Sequence, residues 1–195
     1  MAIADRYDGR RVGLIIPPSP FLLDERVFVS LGILRVASSL ESRGVKVGVL
    51  DLSGVANYLE ALRGYLDACE VDWLGITVTT PQLPAAVAIA DVIRQQRPDI
   101  RIVLGGPHVT LTYSAVKIEQ RQNREARAHR AARLLEDRFD VLISGDGELA
   151  CFHAFDLQCP KVVDGDDNKG PLFMTDQTYE MLPMPARHLV DLTTY

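Results

Sequence analysis

The chain has 195 residues, of which 47% are hydrophobic and 24% charged, and its net charge at pH 7 is −5. These values are average for a globular protein. The acidic balance argues against a nucleic-acid partner, because domains that bind nucleic acid usually carry a basic surface. No apolar stretch approaches the roughly 20 residues of a membrane helix, and the first residues lack the apolar core of a secretion signal. We therefore expect a cytoplasmic protein that has no membrane partner.

The chain contains three cysteines, and their spacing excludes two classes of metal site. Cys69, Cys151 and Cys159 are scattered, and neither CxxC nor CxxxCxxC occurs. A structural zinc ion or an iron–sulfur cluster needs several thiolates at close spacing, so this chain alone has no ligand set for either. We expect these thiols to be buried or without a special role, and we predict no metal ligand.

Five short apolar runs are typical of buried parallel strands, and helical patterns separate them. The five runs are RVGLII (11–16), VKVGVL (45–50), DWLGITV (72–78), IRIVL (100–104) and DVLIS (140–144). The helical segments are predicted from Leu31 to a C-terminal cap at Gly44, over 55–69, from Pro81 or Pro84 to Gln96, over 114–137 and over 147–157.

This alternation predicts an α/β fold: a doubly wound, five-stranded parallel sheet of Rossmann-like or flavodoxin-like type, in the order 2-1-3-4-5, with helices on both faces. We assign residues 1–158 to this domain. Residues 159–195 are rich in Pro, Asp and Gly, and they predict an extended strap or linker, with short strands near 161–163 and 172–174. Ligands of such sheets bind beyond the carboxyl ends of the strands, so the strand ends hold the candidate site.

The residues after the strands exclude several ligand classes. Prolines and threonines stand where a phosphate-accepting receiver domain needs acidic residues, and PPSP (17–20) is not the phosphate loop of a flavodoxin. GxGxxG and GxxxxGK[ST] are both absent. The remaining residues predict a cleft that is lined by hydroxyl groups and glycines. Such a cleft suits a long, partly apolar ligand with a few polar anchors. The cleft residues are Thr77, Thr79, Thr80, Gly105 and Gly106. Alternatively, the two glycines only make a tight turn between strand and helix.

Four segments together resemble the cobalamin-binding domain at the N-terminus of radical S-adenosylmethionine enzymes. They are PPSP followed by LGILRVASSLESRGVKVGVLDLSG, then VDWLGITVTTPQLPAAVAIADVIR, RIVLGGPHVT and FDVLISGDGE, and they cover about 11–150. The end of the chain, LPMPARHLVDLTTY, resembles the segment that joins this domain to the radical barrel, before the CxxxCxxC motif. The resemblance implies a truncated, non-catalytic part of a larger enzyme, for example a methyltransferase, whose barrel binds S-adenosylmethionine and a [4Fe-4S] cluster.

The resemblance also implies where cobalamin lies. The hydroxyls of Thr77 and Thr79 would face the nucleotide tail, Gly105 and Gly106 would make room for it, and the loops 17–31 and 145–148 would border the corrin ring. Asp146 and Glu148 have the residue type for acid–base chemistry, but we expect them to bond corrin amides or backbone N–H groups near a helix start. The candidate cofactor-binding residues are Pro18, Ser19, Leu31, Thr77, Thr79, Thr80, Pro81, Gln82, Gly105, Gly106, Pro107, His108, Gly145, Asp146, Gly147 and Glu148.

The DxHxxG motif, whose histidine ligates cobalt in other cobalamin proteins, is absent. The residues two positions before the four histidines are Gly106, Arg127, Cys151 and Ala186. We therefore expect base-off cobalamin with no histidine on cobalt. His108 has two equal interpretations, a hydrogen-bond donor to the cofactor or a loop residue that bonds the backbone, and a cobalt ligand ranks below both. The alternative function is a stand-alone, non-catalytic Rossmann-like module for a nucleotide or another small ligand.

Overall fold

The computed structural model describes residues 9–195, and its centre is a parallel sheet of six strands. The strand order is β2-β1-β3-β4-β5-β6, with helices on both faces, so the fold is Rossmann-like. The strands are β1 (Arg11–Ile16), β2 (Lys46–Asp51), β3 (Trp73–Thr77), β4 (Arg101–Gly105), β5 (Val141–Gly145) and β6 (Val162–Gly165). The first five strands and their order are confirmed within one residue or two at each end.

The predicted number of strands was wrong, because β6 extends the sheet. This strand pairs in parallel with β5, from Leu142 opposite Val162 to Gly145 opposite Gly165. It has only four residues and corresponds to the short strand predicted near 161–163, which we placed in a strap and not in the sheet; the strand predicted near 172–174 was wrong, since those residues form no strand. A run this short, between Pro, Asp and Gly residues, gives a weak strand signal, and pairing with β5 decides its conformation.

Seven α-helices connect the strands and cover the sheet in residues 9–195. They are α1 (Leu31–Glu41), α2 (Tyr58–Ala68), α3 (Leu83–Gln96), α4 (Pro107–Arg121), α5 (Arg127–Arg138), α6 (Gly147–Ala154) and α7 (Asp176–Glu180). None of the helices in this part of the chain is long and apolar enough to cross a membrane.

The predicted long fourth helix is in fact two helices, α4 and α5. The chain breaks between them at Asn123, which has a φ of +50°. The Glu119 carboxylate then accepts hydrogen bonds from the backbone N–H groups of Ala126, Ala128 and His129. These are N–H groups at the start of α5 that have no partner within the helix, so a side chain of α4 caps the next helix.

The two faces of the sheet form two separate cores. Leu14 of β1 packs in the core beneath α1 and α6, while the next residue, Ile15, packs in the core beneath α2 and α3. This alternation follows from the strand geometry, in which successive side chains point to opposite faces. The core under α1 and α6 also contains the edge-to-face pair of Trp73 and Phe155, whose ring centroids lie 5.5 Å apart.

The last twenty residues pack along α1. The backbone N–H of Ala186 donates to the Leu34 carbonyl over 3.0 Å, and the Arg35 guanidinium lies 4.1 Å from the centre of the Tyr179 ring. The Tyr195 hydroxyl donates to the Asp51 carboxylate at the carboxyl end of β2. These contacts hold residues 176–195 against the sheet domain.

Candidate functional site

A cavity of about 540 Å³ lies at the carboxyl edge of the sheet, on the side that α1 and α6 cover. Its size falls within the roughly 300–1,000 Å³ of sites for small molecules. The α1 and α6 helices and the start of α4 form its walls. Its floor is apolar and contains Leu14, Gly75, Val103, Ile143 and Phe155. The cavity therefore offers an apolar interior that is reached from the edge where ligands of parallel sheets bind.

Gly75 allows close packing at the floor of this cavity. It lies in the middle of β3, where a Cβ atom would come within 2.8 Å of Leu14 Cδ2 and 3.7 Å of Phe155 Cζ. Any side chain at this position would push against the floor residues. A glycine inside a strand lowers the stability of that strand. What Gly75 provides in return is the close approach of the Leu14 side chain to β3.

The two glycines after β4 have different roles. Gly106 has a φ of +100°, and a Cβ there would lie 2.8 Å from the Val78 backbone nitrogen. Gly106 therefore fits the interpretation as a tight turn between strand and helix. Because it has no Cβ, α4 can begin directly against the end of β3. A Cβ on Gly105 would make only an ordinary contact of 3.6 Å, with Ile143 Cβ. Gly105 lines the cavity, so a side chain at this position would take up part of the cavity volume.

The opposite rim of the cavity is acidic. Gly145 has a φ of +88°, and a Cβ there would collide with the backbone of Gly165 and Asp166 at 2.5 Å. The missing Cβ lets the end of β6 approach β5, which adds Asp166 to the lining beside Asp146 and Glu148. Burial, and to a lesser extent the negative charge of Asp146, raises the pKa of Glu148 above its usual value.

The cavity lining contains half of the predicted site residues. It includes Thr77, Gly105, Gly106, Pro107, Gly145, Asp146, Gly147 and Glu148. The other eight lie outside it, and several of them connect the loops around the site. Thr79 and Gln82 form a capping box, and Gln82 Nε2 donates to the Pro17 carbonyl over 2.7 Å, which ties the loop after β1 to the end of β3. The other six predicted residues that do not line the cavity are Pro18, Ser19, Leu31, Thr80, Pro81 and His108.

His108 bonds its neighbours in the loops. Its Nδ1 lies 3.0 Å from Thr80 Oγ1, and its backbone N–H donates to the Val78 carbonyl. Partial burial lowers the pKa of this imidazole, which favours the neutral form. A neutral ring that holds Thr80 through Nδ1 keeps only Nε2 for any further partner.

Sequence reasoning missed the floor of the cavity and parts of its walls. The missed lining residues are Leu14, Gly32, Ile33, Val36, Gly75, Ile76, Val103, Thr110, Leu111, Ile143, Cys151, Phe155 and Asp166. Most are ordinary core residues in the sequence. Gly75 is the exception, because a glycine inside a buried strand often marks a close approach of another group. Across residues 9–195, no group of three or more His, Cys, Asp or Glu side chains is arranged to hold a metal ion.

Comparison with solved structures gives matches to a radical S-adenosylmethionine methyltransferase, TsrM, from Kitasatospora setae. One structure contains tryptophan substrate and the SAM analog aza-SAM, and the other contains cobalamin and a [4Fe-4S] cluster. Each match has 21% sequence identity over 53% of this chain and a TM-score of 0.45. The matches cover 20% and 19% of the TsrM chains, so this chain spans about a fifth of their length.

Comparison of the sequence with families gives a clearer result. No curated protein matches the chain. The family model "B12 binding domain" matches residues 25–122, which is just over half of the 195 residues. The matched segment runs from the loop before α1 to the end of α4 and contains the glycine pair and Thr77. The chain therefore belongs to the B12-binding domain family, whose ligand is cobalamin.

Proposed function

We propose that this chain is the cobalamin-binding module of a cobalamin-dependent radical S-adenosylmethionine enzyme, and that it holds the cofactor base-off without a histidine on cobalt. The observation that carries the proposal is the cavity of about 540 Å³ at the carboxyl edge. Its apolar floor and its hydroxyl-bearing mouth suit the nucleotide tail of cobalamin, which combines an aromatic base with polar groups.

The residues present fit such a tail. Gly105 leaves space where a Cβ atom would stand, and Phe155 offers an aromatic ring at the floor. The Thr77 hydroxyl lines the mouth and has no hydrogen-bond partner within residues 9–195, so it is available to a ligand. The corrin ring would lie outside the cavity, over the carboxyl edge, between the loops 17–31 and 145–148.

The positions of the histidines support the base-off part of the proposal. Three of the four histidines already have a side-chain hydrogen-bond partner within residues 9–195. His108 is bonded to Thr80, His129 to Glu119 and His188 to Glu41. His153 lies in the last turn of α6. In this arrangement the chain binds and orients the cofactor, and it does not supply the lower ligand of cobalt.

The link to a radical enzyme rests on the resemblance of the sequence. Bound cobalamin would supply alkyl-transfer chemistry at cobalt, and the radical S-adenosylmethionine barrel would meet the substrate in the same chain. Residues 176–195 would lead toward that barrel, and their packing along α1 keeps them beside one wall of the cavity. The residues of this module contribute binding, orientation and shielding from water.

Titration with corrinoids tests the proposal. Hydroxocobalamin and cobinamide, which lacks the nucleotide tail, are titrated into the protein and followed by visible absorption. We expect cobalamin to bind with a base-off spectrum and more tightly than cobinamide. Gly105→Val, which fills the mouth, should weaken cobalamin binding at least tenfold and leave cobinamide binding unchanged.

Gly48→Val is the matched control. Gly48 also lies in a strand, and a Cβ there makes a similar ordinary contact of 3.6 Å, with the Tyr65 hydroxyl, away from the cavity. It should bind cobalamin like the native protein. Calorimetric titration with ATP and NADH covers the alternative function. Binding of a nucleotide without any binding of cobalamin would overturn the proposal in favour of a nucleotide module.

A further inference from the structure

We infer that Asp146 and Asp166 select corrinoids whose peripheral side chains are amides, and that they discriminate against analogues in which one amide is replaced by a carboxylic acid. This inference rests on the proposed binding of cobalamin. It assigns the selectivity of that site to two carboxylates. Of these, Asp146 belongs to the predicted site residues and Asp166 does not.

The Asp146 carboxylate is free to meet a ligand. Asp146 occupies the N-cap position of α6, but its side chain accepts no capping hydrogen bond. It has no ion-pair or hydrogen-bond partner within residues 9–195, and it lines the cavity. An aspartate at an N-cap normally uses its carboxylate on the first turn of the helix. Here the acceptor oxygens have no such partner in the described part of the chain, and the residue lines the cavity.

Asp166 brings a second carboxylate to the same rim from a different element. It follows β6, and the absence of a Cβ on Gly145 allows the close contact that places it there. Its Oδ2 lies 3.2 Å from Ser114 Oγ and 3.8 Å from Lys117 Nζ. Lys117 lies closer to Asp164, at 2.8 Å, so the charge of Asp166 is only partly compensated.

The chemistry of the corrin periphery decides what this rim accepts. The peripheral amides of cobalamin each carry two N–H donors and no charge, and a carboxylate is an acceptor for them. A corrinoid acid is negatively charged at neutral pH and would be repelled by both aspartates. At a separation of about 6 Å in a partly solvated rim, this repulsion corresponds to a loss of affinity between about 3-fold and 30-fold.

The experiment compares cobalamin with its three propionic monocarboxylic acids. Each is titrated into the native protein, Asp146→Asn, Asp166→Asn and the double variant at low salt. We expect the native protein to bind at least one acid 3-fold to 30-fold more weakly than cobalamin, and the double variant, in which Glu148 still lines the rim, to show clearly less discrimination. The difference should shrink in 0.5 M salt, because the charges at the rim are exposed to solvent.

Asp137→Asn is the matched control, since it removes the same charge from an exposed position on α5. It should keep the native discrimination. Equal binding of cobalamin and all three acids by the native protein would overturn this inference and leave the proposed function intact. Discrimination that is undiminished in the double variant would also overturn it. Failure of the native protein to bind cobalamin at all would instead overturn the proposed function.

Discussion

Gly106 packs against the backbone of Val78 so closely that a Cβ on Gly106 would lie 2.8 Å from the Val78 nitrogen. Two hydrogen bonds fix this approach. The Val78 N–H donates to the Gly105 carbonyl over 2.9 Å, and the His108 N–H donates to the Val78 carbonyl over 3.0 Å. The end of β3, the end of β4 and the start of α4 therefore form one rigid corner, and the mouth of the cavity is part of it.

Gly106→Ala should destabilise this corner. The backbone there has a φ of +100° and a ψ of −178°, a region that only glycine adopts easily. We expect the free energy of unfolding to fall by about 1–3 kcal/mol from backbone strain, with the collision at Val78 in addition. Urea denaturation measures this change.

Gly64→Ala is the opposite case and serves as the control. Gly64 lies exposed within α2, and a Cβ there meets nothing within 4 Å. This variant should gain about 0.5–1 kcal/mol, since alanine favours a helix over glycine. Equal stability of Gly106→Ala and the native protein would show that the corner tolerates a side chain.

Thr77→Val should weaken cobalamin binding and leave the fold intact. The substitution keeps the shape of the side chain and removes a hydroxyl that lines the mouth of the cavity. The loss of one hydrogen bond corresponds to about 0.5–1.5 kcal/mol, or a dissociation constant raised between about 2-fold and 13-fold. Absorption titration of the folded variant measures it.

Thr79→Val separates a binding hydroxyl from a structural one. Thr79 Oγ1 donates to Gln82 Oε1 over 2.8 Å and lies outside the cavity lining. This variant should lose about 0.5–2 kcal/mol of stability with its capping box and keep the native affinity for cobalamin. The reverse pattern, in which Thr79→Val loses affinity and Thr77→Val does not, would place the ligand outside the cavity.

His108→Ala should leave the visible spectrum of bound cobalamin nearly unchanged. The Nδ1 of this ring is engaged with Thr80 Oγ1, and its pKa is lowered by burial, so the residue acts as a neutral hydrogen-bond partner of the loop. A spectrum of nitrogen-ligated cobalt in the native protein that disappears in the variant would identify His108 as the lower ligand.

The Glu119 cap predicts a dependence of stability on acid pH. The hydrogen bond from His129, followed by the N–H donors at the start of α5, lowers the pKa of Glu119 from 4.5 to about 2. A carboxyl group whose pKa is lower in the folded state stabilises the fold at pH values above its unfolded pKa. This stabilisation should therefore be complete above about pH 4.5 and decline progressively toward pH 2.

Glu119→Gln should lower the stability at pH 7 and flatten the change between pH 4.5 and pH 2. Urea denaturation at several pH values measures both effects. Glu125→Gln is the matched control, because Glu125 is exposed and, within residues 9–195, pairs only with Arg133 at the surface. A Glu119→Gln variant that keeps the native pH profile would show that this carboxylate does not stabilise α5.

Most of the fold could be predicted from local patterns in the sequence. The apolar runs predict β1 to β5 within a residue or two, and Gly44 after α1 takes the positive φ that a C-terminal cap requires. The short helix α7 was not predicted, and two further features that local patterns did not give, the place of β6 in the sheet and the break between α4 and α5, depend on distant partners. β6 is a strand because β5 lies beside it, and α4 ends early because Glu119 turns to cap α5.

The residues of the site also fall into two groups, those that local patterns predict and those that depend on distant partners. The sequence by itself determined that the chain is a B12-binding domain and that Thr77, Gly105, Gly106 and the segment 145–148 stand around a cleft at the strand ends, where they line the cavity, because the apolar pattern sets the positions of those ends. Only the tertiary structure decided that Thr79 hydrogen-bonds Gln82 and that His108 hydrogen-bonds Thr80. It also decided that Phe155 and Asp166 reach the cavity. The physical reason is that strand periodicity is local, whereas a cavity forms where residues far apart in the chain fail to fill the space between them.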